Sequence, residues 1–182
     1  MLDLAFFDRR TLAVARDLIG CLLVYRVDGR QRQGRIVETE AYDGFSDAAS
    51  HAHRGMTPRN AVMFGPPGHA YVYLIYGMYN CLNLVTREEG YPAAVLIRAL
   101  EPMEGVSGAC HGPGRLTRAM GIDRRHDGLS VVEPPLYLEP RPRPVRRVVR
   151  TPRINVDYAG IWADKPWRFV DPQSRHLSVK LR

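Results

Sequence analysis

The sequence predicts an α+β domain: a mixed, mostly antiparallel and curved β-sheet flanked by short helices, with one β-hairpin protruding from it. Three observations lead there. A chain of 182 residues is long enough for one hydrophobic core and short for two, so residues 1–182 are expected to form a single domain. Its make-up, 45% hydrophobic and 25% charged, is that of a globular protein and excludes collagen-like, coiled-coil and disordered classes. Apolar runs joined by tight turns outnumber strand–helix–strand units, which favours antiparallel pairing.

Residues 11–19 (TLAVARDLI) carry apolar side chains at helical spacing and stop at Gly20, as a helix with a C-terminal glycine does. Residues 22–27 and 34–42 read as strands. The second, GRIVETEAY, alternates so that Glu38, Glu40 and Tyr42 share one face and Val37, Thr39 and Ala41 the other. That pattern fits a solvent-facing sheet surface as well as two carboxylates and a phenol gathered for chemistry. Residues 43–59 are polar and hold His51 and His53; Thr57-Pro58 then fits an N-cap followed by proline at the first helical position, predicting a short helix to about Met63. YVYLIY at 71–76 and YNCLNLV at 79–85, joined through Gly77-Met78, form the hairpin. Residues 93–100 (AAVLIRAL) read as a buried strand, 113–120 as a short helix ending at Gly121, and 129–133 and 145–154 as further strands. Between these last two, EPPLYLEPRPRPVRR is expected to be a solvated, proline-dense basic loop whose arginines could touch a phosphate backbone.

The charge narrows the partners. Twenty-six Lys and Arg face 19 Asp and Glu, giving +7, and because lysine occurs only at 165 and 180, 24 of the cations are arginine. Arginine's planar fork suits phosphate oxygens and base edges, so a polyanion is a reasonable partner; an arginine-rich proteome would give the same excess. Cys21, Cys81 and Cys110 are too few and scattered for a disulfide framework, and no C-x-x-C pair suggests zinc or an iron–sulfur cluster. No stretch reaches the ~18 apolar residues of a membrane span, and the N-terminal apolar run is too short for a secretory signal. A cytoplasmic protein is expected, with no membrane partner.

The hairpin tip is the first functional clue. Tyr71, Tyr73, Tyr76 and Tyr79 fall within nine residues, and large side chains on an exposed turn are costly unless something covers them. Proteins that distort duplex DNA push such wedges between base steps, and enzymes acting on a base must extrude it from the stack. Some of the tyrosines must instead pack inward with their hydroxyls satisfied; Tyr71 is the candidate.

Residues 38–42 (ETEAY), 57–64 (TPRNAVMF), 71–79 (YVYLIYGMY) with Asn83, 97–102 (IRALEP), Pro152-Arg153-Ile154, Asp157-Tyr158-Ala159-Gly160 and Pro166-Trp167-Arg168-Phe169 together resemble the alkyladenine or 3-methyladenine DNA glycosylase family, colinearly over almost the whole chain. The resemblance implies a base-excision-repair enzyme that acts as a monomer on double-stranded DNA, at the nucleoid. Such an enzyme flips damaged purines (3-methyladenine, 7-methylguanine, hypoxanthine, ethenoadenine) out of the duplex and hydrolyses the N-glycosidic bond, leaving an abasic site without lyase activity. By the same resemblance Glu40 activates the attacking water, held by Arg98. Tyr42, His51 and Tyr73 wall the flipped base, Tyr76 wedges into the duplex in its place, and Asn83 disfavours normal guanine. The backbone around His51 and Ile154 would bond the base edge and the water. No metal or organic cofactor is implied.

The residue types suit that chemistry. Breaking an N-glycosidic bond builds oxocarbenium-like charge on the sugar, so one carboxylate can deprotonate water and stabilise that charge. An electron-rich aromatic box favours a cationic alkylated purine. With the only two lysines at 165 and 180, far in sequence from Glu40 and the hairpin, a Schiff-base nucleophile is not expected.

Two other readings compete. Glu38 and Glu40 sit at i and i+2, with Cα atoms ~6.6–6.8 Å apart, and inverting O-glycosidases separate their carboxyls by ~6.5–9.5 Å. A two-carboxylate sugar hydrolase thus fits on spacing, whereas the resemblance predicts Glu38→Gln to be mild and Glu40→Gln nearly inactive. A non-catalytic minor-groove protein would use the same wedge and arginines but need no Glu40. Asp47, His51 and His53 could bind a metal but lack a clear further ligand. The segment HGPGRLTRAMGI is only superficially like a helix–hairpin–helix turn, whose helix N-terminus would hold a phosphate.

Two features strain the resemblance. A two-residue turn at Gly77-Met78 would put Tyr73 and Asn83 on opposite faces, so an odd-length loop, Gly77 to Tyr79 pairing 73 with 83, is predicted. Asn155 stands where the family usually has glycine, and asparagine tolerates a positive φ there.

Overall fold

The computed structural model describes residues 1–181. In chain order the elements are helices α1 (Leu4–Phe7) and α2 (Thr11–Asp17), strands β1 (Leu22–Val27), β2 (Arg30–Asp43), β3 (Ala70–Ile75), β4 (Tyr79–Val85) and β5 (Ala93–Pro102), helix α3 (Pro113–Met120), and strands β6 (Leu136–Glu139), β7 (Val149–Thr151) and β8 (Arg168–Val170). Short 3₁₀ segments occupy Ala61–Phe64, Arg124–His126 and Asp157–Trp162, the last broken by a kink at Gly160. The domain is α+β. Its curved sheet runs β3-β4-β5-β2-β1-β6, every pairing antiparallel. On β2, the edge taken by β1 over residues 30–35 passes to β8 at Glu38–Glu40, while β5 holds the other edge.

Period-two alternation divides this sheet into two functional sides. Ala41, Val72, Leu82, Leu84, Val95 and Ile97 turn to one face and pack with Val14 of α2 and with Leu18 and Ile19 just after it, forming the main core. Their neighbours Tyr42, Tyr71, Tyr73, Cys81, Asn83, Leu96 and Arg98 turn to the other and line a cleft. Register shifts on either side of Glu38 bring it and Arg98 onto the cleft side with Glu40.

Four local expectations are corrected. Residues 57–63 do not form an α-helix: Asn60 accepts from the Thr57 N–H and donates to the carbonyls of His51 and Gly55, so a turn leads into the 3₁₀ segment. No strand covers 129–133, where Ser130 makes only an isolated bridge to His69. The strand lies instead inside the proline-dense stretch, at β6. Its prolines fall at the strand's ends, Leu136, Tyr137 and Leu138 are buried, and the edge position facing β1 tolerates proline nearby. The strand expected over 145–154 shrinks to β7, stopped by Pro152.

The hairpin loop has odd length, as predicted, but is Tyr76–Gly77–Met78. Ile75 pairs with Tyr79, Tyr73 with Cys81 and Tyr71 with Asn83, so the predicted partners are shifted by two while Tyr73 and Asn83 keep their common face. Tyr76 and Gly77 both have positive φ (52° and 67°), and the Met78 N–H closes the turn onto the Ile75 carbonyl.

Candidate active site

The cleft, about 700 Å³ in volume, opens between the tyrosine-lined face of the sheet, the start of α3 and the segment after β7. At its floor lies a buried charge network. Glu38 and Glu40 are both fully buried, so the alternation in ETEAY does not mark a solvated surface. Arg98 spans them, its Nε 3.2 Å from Glu38 Oε1 and its Nη1 3.3 Å from Glu40 Oε2. Burial works against the Arg98 charge, but Glu40 and Glu38 outweigh it and raise its pKa above the ordinary arginine value.

The two carboxylates differ in how many donors they accept and from where. Glu40 accepts from the Ile154 N–H (2.8 Å) on Oε1 and from the Tyr42 hydroxyl (2.9 Å) and Arg98 on Oε2. Three donors leave one of about four lone-pair positions open. Glu38 accepts four: Arg168 Nε (2.7 Å), Arg98 Nε and the Ser178 hydroxyl (2.7 Å) on Oε1, and the Ser178 N–H (2.6 Å) on Oε2. The side-chain amide introduced by Glu38→Gln would turn an NH₂ toward these donors, so the geometry replaces the expectation of a mild Glu38→Gln with a destabilising one. Glu40 itself lies one side chain deep: the groups that hold it, Tyr42, Arg98 and Ile154, line the cleft.

Around this floor the remaining expected residues converge. His51 and Tyr73 meet edge-on, ring centroids 4.4 Å apart, and Tyr71 lies beside Tyr73 at 5.3 Å. Tyr71 is buried as expected, its hydroxyl 3.0 Å from His51 Nδ1. His51 is reached from the cleft, yet the protein around its ring withholds enough water to lower its pKa, with Arg59 adding repulsion. Burial, then the Glu40 charge, pushes the Tyr42 hydroxyl well above the usual tyrosine range, and burial does the same for Tyr73. Both phenols therefore stay protonated. Asn83 donates to the carbonyls of Tyr71 (3.2 Å) and Cys81 (3.5 Å), which fixes its side chain in the wall.

Asp47, His51 and His53 do not converge. Asp47 is engaged by Arg153, and His53 Nδ1 lies 2.8 Å from the Phe45 carbonyl. Among the described residues, no group of three His, Cys, Asp or Glu side chains could hold a metal ion.

The hairpin projects beside this cleft. Tyr76 is 79% exposed and Met78 62%, and Tyr76 adopts a left-handed backbone that costs a non-glycine residue about 1–2 kcal/mol. Asn155, also left-handed at φ 58°, keeps the backbone that the resemblance anticipated at that position. No helix among the described residues is long and apolar enough to cross a membrane.

Comparison with known proteins decides the family. The sequence profile described as methylpurine-DNA glycosylase matches residues 5–175. The chain belongs to the methylpurine-DNA glycosylase family. Relatives with the provisional name 3-methyladenine DNA glycosylase include one from Anaeromyxobacter dehalogenans strain 2CP-C, 56% identical over 91% of this chain and 81% of its own. Another, from Methanocella arvoryzae, is 55% identical over 96% of this chain and 94% of its own. A third, from Legionella pneumophila strain Corby, is 44% identical over 95% of both.

For a methylpurine-DNA glycosylase, two parts of this site were not assigned from sequence. Arg153 lies in a quoted motif but was given no role; it forms a two-pronged ion pair with Asp47 (2.6 and 2.8 Å), both side chains fully buried, and lies over Tyr42 and Trp167. The pair anchors the segment that delivers the Ile154 N–H to Glu40. Arg168, likewise in a quoted motif without a role, and Ser178, which gave no signal, occupy Glu38. Local spacing cannot announce partners 130 and 140 residues away.

Proposed function

We propose that this chain is a monofunctional glycosylase that flips alkylated and deaminated purines, among them 3-methyladenine, 7-methylguanine, hypoxanthine and ethenoadenine, from duplex DNA and hydrolyses their N-glycosidic bond. The observation that carries the reading is the unequal occupancy of the two carboxylates. Glu40 carries three donors, all from residues that line the cleft, and its Oε1 accepts only from the Ile154 N–H, which leaves room for a water; Glu38 carries four, two of them from Ser178, which covers it. As the C1′–N bond breaks, its electron pair leaves with the base. The water oxygen bonds to C1′, and Glu40 takes the water's proton while its charge stabilises the cationic sugar.

Tyr42, His51 and Tyr73 form the aromatic slot for the base, which favours cationic purines, and the fixed Asn83 meets any purine bearing a 2-substituent. Tyr76 fills the gap left in the stack, which gives its strained, exposed backbone a purpose. Neither Lys165 nor Lys180 lines the cleft, which supports hydrolysis by water over a Schiff base. The four donors on Glu38, two of them from Ser178, count against paired acid–base catalysis on an O-glycoside, and a pure groove binder has no use for a buried Glu40 whose partners all line the cleft.

The test is base release from duplexes that each carry one lesion, scored as alkali-labile strand breaks. The wild-type chain is expected to release at least one of the four bases, and Glu40→Gln to lose about 10²–10⁴-fold in rate while still binding the duplex. Release from no lesion, or an unimpaired Glu40→Gln, would refute the reading.

A further inference from the structure

Beyond the family match, which ends at residue 175, the chain returns to the floor of the cleft. Ser178 and Val179 line it beside Arg98. The Ser178 N–H donates to Glu38 Oε2 at 2.6 Å; its hydroxyl donates to Glu38 Oε1 at 2.7 Å and accepts from Arg98 Nε at 3.3 Å. Arg168 holds the same segment, its Nη2 2.7 Å from the Val179 carbonyl while its Nε bonds Glu38.

We propose that Ser178 is a positioning residue for excision: it holds Glu38 and thereby keeps Arg98 available to Glu40. Two buried carboxylates on one strand share the Arg98 guanidinium, which is the sole ion-pair partner of Glu40 among the described residues, whereas Glu38 also holds Arg168. Arg98 gives its Nε side to Glu38 and its Nη1 to Glu40 at nearly equal distances. The Ser178 hydroxyl closes a triangle with Arg98 Nε and Glu38 Oε1, accepting from the Nε–H that also reaches Oε1 and donating to Oε1 itself. It supplies Glu38 with hydrogen bonds that the guanidinium would otherwise have to make, and it keeps Arg98 from swinging onto Glu38. Without it, Arg98 Nη1 retreats from Glu40. The carboxylate then loses the partner that orients it, while the aromatic slot and the hairpin are untouched. The inference rests on Glu40 as the water-activating group, and it predicts slower chemistry with unchanged DNA binding.

The experiment is single-turnover base release at saturating enzyme on a hypoxanthine duplex, or on whichever of the four lesions the wild type releases. It compares Ser178→Ala, Ser178→Thr and Ser178→Val, the last two being nearly isosteric with and without the hydroxyl. Ser178→Ala and Ser178→Val should slow the rate constant about tenfold, the equivalent of one hydrogen bond to a charged group, with duplex Kd and reaction amplitude unchanged. Ser178→Thr should approach the wild type. Equal rates for Ser178→Thr and Ser178→Val, or losses confined to amplitude or to Kd, overturn the inference. Glu40→Gln in the same assay separates the two levels: if it remains active, the assignment of Glu40 fails. If it is inactive while Ser178→Ala runs at full speed, only the role of Ser178 fails.

Discussion

Asp47 and Arg153 are both completely out of water, and their worth lies in where they hold the backbone. Arg153 also donates to the carbonyls of Ala41 and Trp162, so one side chain ties β2 to both ends of the segment that carries Ile154. Asp47→Asn would leave a buried guanidinium without its counter-charge. It should cost roughly 3–5 kcal/mol, seen as a Tm lowered by about 10 °C and accompanied by slower base release. An unchanged Tm would mean that the pair is not what fixes this segment. At this scale the sequence showed residue types but not their partners. Glu40 and Arg98 stood out because carboxylate and guanidinium sat in recognisable motifs. The choice between Glu38 and Glu40 became physical only when their donors could be counted.

At the scale of elements, α3 supports the hairpin. Gly114, in its first turn, lies against the Tyr79 side chain so closely that a Cβ would sit 2.8–2.9 Å from Tyr79 Cβ, Cγ and Cδ1. Tyr79 Cβ cannot rotate away, so Gly114→Ala must displace the base of β4. Base release from duplex should fall several-fold with duplex affinity, whereas Tm moves little because the strain falls at the hairpin end of β4, next to the exposed loop; equal activity in the two proteins would contradict that coupling. Elements with an intact local signal were legible: α2, β1, the hairpin strands, β5 and α3 lie where periodicity and glycine stops put them. Those that failed had a competing local bond or a tertiary reason. Asn60 captured the backbone of the expected helix, and β6 is a strand only because β1 offers it an edge and a pocket for Tyr137.

For the whole molecule, the net charge of +7 and the uncharged aromatic slot divide the work. Surface arginines can hold phosphates without reading sequence, while Arg98, Arg153 and Arg168 are buried in ion pairs and contribute nothing to that field. Binding to undamaged duplex should therefore weaken steeply with salt, with a log–log slope of about −0.9 per phosphate contact. Titration by fluorescence anisotropy across a salt series measures it, and a flat response would speak against a duplex partner.

The long strand β2 also sets how this molecule reaches its native state. It pairs with β1 across a tight turn, with β5 some 60 residues on and with β8 some 130 residues on, so the last contacts to form close the largest loops. Both tryptophans, Trp162 and Trp167, sit in that late-docking stretch with their rings 5.5 Å apart. Their emission reports the closing event and little of what precedes it. During refolding, intrinsic fluorescence and excision activity should consequently recover together, both trailing the far-UV signal of the sheet.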